Sequence, residues 1–338
     1  MTCRCQHGVT RYAHNLRNDG SVDKDAMLMS TDTRVVTDDL GNGVTVIDTL
    51  LGGEVGVTSA YLINGPRPCL VETGTATSAP ALLRALDSIG LSPADLATVV
   101  VTHIHLDHAG GVGQVAEAFP DAEIVVHPAG ARHLVDPSRL EASARRVFGK
   151  TFDTLLGPML PVDAQRVVAA NDGDTVDLGG GRRLDVINSP GHAKHHVGLV
   201  DSETGDLYTG DAAGVYLIGS DSLLPATPPP DFILEEALQS LGFFAARQPS
   251  RLLFAHFGAA LEPDIMLERA QSVLSHWVED VAAVRNAGND LDHAIALFRS
   301  RSEQSRKSAP EVLEELTSVD ANVSGVWRYL EQREAADQ

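Results

Sequence analysis

Within Thr102-His103-Ile104-His105-Leu106-Asp107-His108, three imidazoles and one carboxylate fall inside six residues. Imidazole nitrogen and carboxylate oxygen are donors that a divalent cation such as zinc accepts, and the absence of thiolates is typical of catalytic rather than purely structural sites. His103, His105 and Asp107 are spaced by two, so an extended chain would aim all three to one side. His108 would then turn toward a neighbouring point as a helix begins. A single histidine at a strand end is ordinarily a hydrogen-bonded core or surface residue. Four ligand-type side chains in one run, followed by Gly110 and Gly111, point instead to a metal.

The surrounding pattern supplies elements to hold such a run. Leu96 to Val101 reads as an apolar strand buried on both faces, and Gly110 to Phe119 as a helix, which puts the motif at a strand's carboxyl end, where ligands gather in α/β sheets. Val44 to Leu50, Thr58 to Ile63 and Pro68 to Glu72 read as strands before it, Ala79 to Ile89 as a helix, and Glu123 to His127 as the strand that follows. Gln165 to Tyr208 reads as strands broken by Asp172-Gly173-Asp174 and Gly179-Gly180-Gly181, and Arg251 to Phe254 as one more. Residues 128–165 between these β-rich halves read as a helical insertion or lid. Beyond Glu262 the pattern is helical through Arg285, Leu291 to Phe298, Val312 to Leu316 and Val323 to Leu330.

The motif resembles the His-x-His-x-Asp-His signature of the metallo-β-lactamase superfamily, matched by His103, His105, Asp107 and His108. Three later turns resemble the family's in the same order: Ser189-Pro190-Gly191-His192, Tyr208-Thr209-Gly210-Asp211 and Ala255-His256-Phe257-Gly258. The resemblance covers about residues 40 to 260. It implies an α/β fold, a four-layer αβ/βα sandwich of two mixed sheets with helices outside and the histidine-rich loops along one edge. It also implies that His103, His105 and His192 hold one metal, that Asp107, His108 and His256 hold a second, and that Asp211 bridges them. The ions would be two divalent metals, zinc first, with iron or manganese as alternatives.

The expected organisation is an irregular segment at 1–40, a catalytic domain at 41–261 and a helical extension at 262–338 packed on that domain, where it could cap the site or form a homodimer. Glu72, in Val71-Glu72-Thr73-Gly74, stands where many family members carry aspartate. His196 is expected to support the ligands, and His127 and His133 to be strand-end or surface residues. Arg145, Arg146 and Lys150 form a basic cluster that a lid would offer to a substrate anion. Pro225 and Pro228-Pro229-Pro230 make a stiff connection bordering the pocket.

Such a site is expected to act as a hydrolase, with a metal-bridging hydroxide attacking an ester, thioester or lactone carbonyl and Asp107 moving the proton. Tyr216 resembles, at a different spacing, a tyrosine of the superfamily's lactonases that donates to the substrate. The rival readings are a persulfide dioxygenase-like enzyme with one iron on two histidines and an aspartate, a nuclease of the same fold, and a metal-binding module without catalysis. A formal charge of -20 disfavours nucleic acid and anionic membranes as partners and leaves a small molecule as the substrate. The three cysteines, Cys3, Cys5 and Cys69, suggest no disulfide framework. With no signal-peptide core and no apolar run of about 18 residues, the cytoplasm is the expected compartment.

Overall fold

Residues of the central strands alternate between two apolar layers, which is why Ser59–Ile63, Cys69–Val71 and Thr98–Val100 are buried throughout. The computed structural model describes residues 34–217, 221–305, 312, 316 and 318–336. The first sheet runs in sequence order: β1 (Thr37–Asp39), β2 (Val44–Asp48), β3 (Ser59–Ile63), β4 (Cys69–Val71), β5 (Thr98–Val100), β6 (Glu123–Val126) and β7 (Val167–Ala169). It is antiparallel up to β4 and parallel beyond it. The second sheet contains β8 (Thr175–Gly179), β9 (Arg182–Asn188), β10 (Val197–Asp201) and β11 (Asp206–Gly210), then β14 (Arg251–Phe254) and β15 (Gly258–Ala260). A separate hairpin pairs β12 (Val215–Leu217) with β13 (Ser222–Leu224).

Tyr61, Ile63, Val71, Val100 and Val125 of the first sheet meet Leu184, Val186, Leu199, Tyr208 and Leu253 of the second in one apolar layer. Their strand neighbours Ala60, Leu62, Leu70, Val99 and Ile124 face the other way. They pack against the helices α1 (Ala79–Ile89) and α3 (Val112–Ala118). On the second sheet, Leu207, Leu252 and Phe254 face α7 (Leu234–Ala246), α8 (Pro263–Asn286), α9 (Leu291–Ser305) and α10 (Val319–Ala336). Three apolar layers between four layers of structure make the αβ/βα sandwich, with each fully buried aliphatic side chain contributing about 1.5–3 kcal/mol.

Two backbone bonds join the sheets where the histidine loops emerge. Val197 N–H donates to Thr102 O at 2.8 Å, and Ser59 N–H to Ala255 O at 2.8 Å. The buried Tyr61 hydroxyl adds a bond to Phe254 O at 2.6 Å.

Two expectations need correction. The segment before residue 41 is not wholly irregular, because β1 pairs with β2. Its Thr-Asp-Asp sequence carries no apolar signal, as suits a polar edge strand. The helix after the motif begins earlier, as α2 (Leu106–Ala109), and breaks before α3. Within 128–165 the segment forms α4 (Pro128–Val135), α5 (Ser138–Phe148) and α6 (Phe152–Leu155), and Phe152, Leu155, Leu156, Met159 and Val162 are rooted in the apolar layer between the first sheet and its helices α1 and α3. Residues 1–33, with Cys3 and Cys5, lie outside the described residues, as does most of Val312 to Leu316. No helix among the described residues is long and apolar enough to cross a membrane.

Candidate metal centre

The motif leaves β5 through a bend at Thr102 and His103, reaches His105 with its backbone in the β region, and then enters α2. His103 and His105 therefore point together, whereas Asp107 is carried round by the helix with His108. This corrects the expectation of one extended run and explains why His103 and His105 group with His192 but Asp107 and His108 with His256, a further group of His103, His108 and Asp211 lying between them. His192 comes from the β9–β10 turn, Asp211 follows β11, and His256 sits between β14 and β15.

In the first group, His105 Nδ1 lies 3.0 Å from His103 Nε2 and 3.0 Å from His192 Nε2. Nitrogens bound to one tetrahedral zinc at about 2.0–2.1 Å are themselves about 3.3 Å apart, so this spacing suits a shared cation. In the second group, Asp107 Oδ2 lies 3.4 Å from His108 Nε2 and 3.3 Å from His256 Nε2. Asp211 faces both groups. Its Oδ2 is 3.5 Å from His192 Nε2, while its Oδ1 is 3.4 Å from His108 Nε2 and 3.5 Å from His256 Nε2. All seven side chains expected to bind metal thus converge, and Asp211 stands where a bridging ligand would.

Two atoms test the fit to a cation. His108 Nε2 and Asp211 Oδ1 are buried without a hydrogen-bond partner. An unpaired polar atom in a dry interior is costly, and a cation between them would satisfy both. The partners on the far sides of the rings agree. His192 Nδ1–H donates to Ala226 O at 3.0 Å and His256 Nδ1–H to Val57 O at 3.2 Å, which turns each Nε2 toward the cluster. Thr102 Oγ1 is 3.0 Å from His103 Nδ1, and Glu72 Oε2 is 3.5 Å from His108 Nδ1.

Glu72 lies in the left-handed backbone region at φ 70° and is buried, with Oε1 accepting Thr102 N–H at 3.1 Å. His196 supports rather than joins the cluster: its Nε2 accepts Asp211 N–H at 3.0 Å and its Nδ1 lies 2.7 Å from Ser189 Oγ. This approach requires Gly210, at φ 49°, where a Cβ would collide with the His196 ring and with Thr102 Oγ1.

The electrostatics follow from burial and pairing. Burial, reinforced by neighbouring imidazoles, holds His103 and His192 below the usual histidine range and His105 down at about 3, so these rings are neutral donors. Burial opposes ionisation of Asp107 and Asp211, but His108 and His256 outweigh it and keep both carboxyls well below the usual range. Burial likewise works against protonation of His108 and His256. The two carboxylates prevail, raising His108 well above its usual value and His256 to about 9. Without metal, the two carboxylates thus demand positive charge at the cluster.

Other candidates lie outside it. The Tyr216 hydroxyl donates to Asp221 Oδ1 at 3.2 Å, its ring lies against Phe254, and it does not line the recess beside His192 and Asp211. Arg145 pairs with Asp153 at 2.8 Å and covers the Phe152 ring, so it is engaged locally. The Arg146 guanidinium donates to Ser143 Oγ at 3.1 Å. His127 caps α4 by accepting Ala129 N–H, and His133 accepts from Arg132 at the surface. Pro225 and Ala226 do border the recess. Sequence reasoning missed the carbonyls of Val57 and Ala226, which no side chain announces. It also gave no role to His195, a buried ring beside His103 and His105.

A family model described as the metallo-beta-lactamase superfamily matches residues 53–256, and the chain belongs to that superfamily. It is 31% identical over 181 residues to the metallo-beta-lactamase fold-containing protein ST1585 of Sulfurisphaera tokodaii, covering 52% of this chain and 66% of that protein. It is 28% identical over 168 residues to a hydroxyacylglutathione hydrolase of Synechococcus sp., covering 50% and 53%. The chain therefore spans between about half and about two thirds of the length of these curated relatives. The crystal structure of ST1585 superposes with a TM-score of 0.58 at 22% identity, covering 80% of this chain and 93% of that one. The family protein TTHA1429 from Thermus thermophilus gives 0.60 at 21%, covering 89% and 94%. These structures share the fold, and family and side chains together imply use of a divalent metal.

Proposed function

We propose that this chain is a metal-dependent hydrolase holding two divalent ions, zinc first, and acting on an ester, thioester or lactone of a small molecule. The observation that carries the reading is Asp211, one carboxylate with an oxygen toward each of two ligand groups. His103, His105 and His192 would hold one ion and Asp107, His108 and His256 the other. Bound there, such a pair supplies Lewis acidity and makes hydroxide available from water near neutral pH.

The chain's own groups do the remainder. Glu72, Thr102, Val57 O and Ala226 O fix the imidazoles, so little reorganisation is needed as charge develops. Asp107, whose side chain is 16% exposed, reaches solvent farther than the other ligand carboxylate at 6%. That position suits it to take a proton at its carboxylate and deliver it to the departing oxygen or sulfur.

The relative named hydroxyacylglutathione hydrolase places acylglutathione thioesters first among substrates to try. The experiment is metal analysis of the purified chain together with a panel of thioesters, lactones and esters. Two zinc ions per chain and turnover that chelation abolishes are expected. One iron per chain with oxygen uptake, or two ions with no turnover on any substrate, would overturn the hydrolase reading.

A further inference from the structure

The segment that presents Ala226 O to His192 lies between β13 and α7 and belongs to neither sheet. It is held by the carboxyl-terminal helix. Thr227, fully buried, donates its N–H to Asn322 Oδ1 at 2.5 Å and its hydroxyl to Asn322 O at 3.0 Å. Trp277 of α8 adds an indole N–H bond to Thr227 Oγ1 at 3.1 Å. One turn along α10, Gly325 lies so close that a Cβ would overlap the Thr227 carbonyl oxygen.

Asn322 is conspicuous by type. It is 6% exposed on a helix face otherwise made of Val323, Val326, Trp327 and Tyr329. Asparagine is a poor helix former, and its amide is costly to bury unless bonded. Apolar packing alone would not select it. Its carboxamide instead fixes the peptide group whose carbonyl orients a candidate metal ligand.

We propose that α10 is a positioning element for the metal centre. It acts from Asn322 through Thr227 and the Ala226 carbonyl to the His192 ring, so that breaking this clamp weakens one of the two ions selectively. The inference rests on the reading of the cluster as a two-metal site. It gives the helical extension a role in metal affinity that neither a simple cap nor a dimer contact would have. Packing alone would act on the fold as a whole. The clamp ends on His192 and on no ligand of the Asp107, His108 and His256 group.

The test is stepwise zinc binding to the full chain, measured by chelator competition, with circular dichroism of the metal-free form as the check on folding. Asn322→Ala is expected to weaken one binding step about 10- to 100-fold, the range typical when a partner behind a metal ligand is lost, and to leave the other within about threefold. Asn322→Asp, which keeps an acceptor for Thr227 N–H, should recover most of the loss. Thr227→Val is the milder variant should Asn322→Ala fail to fold. It removes the hydroxyl bonds, keeps the amide on Asn322, and is expected to weaken the same step by less. Arg285→Gln breaks the pair of α8 with Glu334 of α10 and the stacking of Arg285 over Trp327, touches neither Asn322 nor Thr227, and should leave both steps unchanged. Two unaltered steps in Asn322→Ala or, where that variant does not fold, in Thr227→Val, or equal weakening of both steps, would overturn the clamp. Wild-type protein that binds no zinc would overturn the metal reading beneath it.

Discussion

Asp211 Oδ1 and His108 Nε2 lie 3.4 Å apart, both buried and neither with a hydrogen-bond partner. A buried carboxylate oxygen and imidazole nitrogen this close and without a hydrogen bond fit a cation that both would bind. Asp211→Ala removes the one side chain facing both groups. It should lower bound metal from two ions per chain to one or fewer and reduce kcat/KM by more than about 100-fold, the upper range for losing even an indirect ligand partner. Elemental analysis with steady-state kinetics checks this. Two retained ions and near-normal turnover would remove Asp211 from the centre.

Metal removal should act on stability as well as on activity. An ion that binds only the folded chain stabilises it by about 2.7 kcal/mol at a concentration 100 times its Kd. Treatment with a chelator is therefore expected to abolish turnover and lower Tm by several degrees, and zinc should restore both. The melting curve of the chelated protein is the measurement. An unchanged Tm would argue that the cluster is stable without a cation.

Glu72 has one oxygen on Thr102 N–H and the other 3.5 Å from His108 Nδ1. Glu72→Gln keeps an acceptor for the Thr102 amide but removes the negative charge behind His108. The expectation is a loss of about 10-fold in metal affinity with a preserved circular dichroism spectrum. Wild-type affinity in this variant would show that the longer carboxylate only holds the loop.

The contrast between His103 and Asp107 shows how far the sequence could be read. The residues that converge were legible because four lie in one run and the other three sit in turns that match the family in order. The division of the run was implied by the family resemblance and not by the spacing, because a spacing of two suggests one extended strand. The chain instead turns helical at Leu106, taking Asp107 and His108 to the second group. The four layers were implied by the family resemblance, and the apolar strands agree with them, whereas β1, a polar edge strand, left no pattern to find. Val57 O and Ala226 O are backbone atoms of unremarkable residues. The Asn322–Thr227 bond joins positions 95 apart, a separation that no local pattern encodes.

Tyr216 illustrates a resemblance that geometry redirects. Its hydroxyl bonds to Asp221, which also pairs with Arg269 of α8 at 2.9 Å. Tyr216→Phe is therefore expected to keep kcat/KM within about twofold and to cost about 1 kcal/mol of stability, the usual worth of one hydrogen bond. A fall in kcat of about 100-fold with unchanged stability would return the hydroxyl to the substrate.

Asp48, at the end of β2, is buried and accepts N–H bonds from Leu50 at 2.9 Å and Gly56 at 2.7 Å. Burial outweighs these bonds and pushes its carboxyl from 3.8 up to about 6. Between those values the folded chain holds a proton that the unfolded chain has lost, so Asp48's contribution to stability falls as pH rises through the window and levels off above about 6. At about 1.4 kcal/mol per pH unit the full change is up to about 3 kcal/mol. Asp48→Asn cannot titrate, so subtracting its unfolding free energy from that of the wild type isolates this one group. Urea unfolding of metal-free protein from pH 4 to pH 7 should give a difference that declines to about pH 6. A difference that rises with pH would mean that the two amide bonds, rather than burial, set the charge of Asp48.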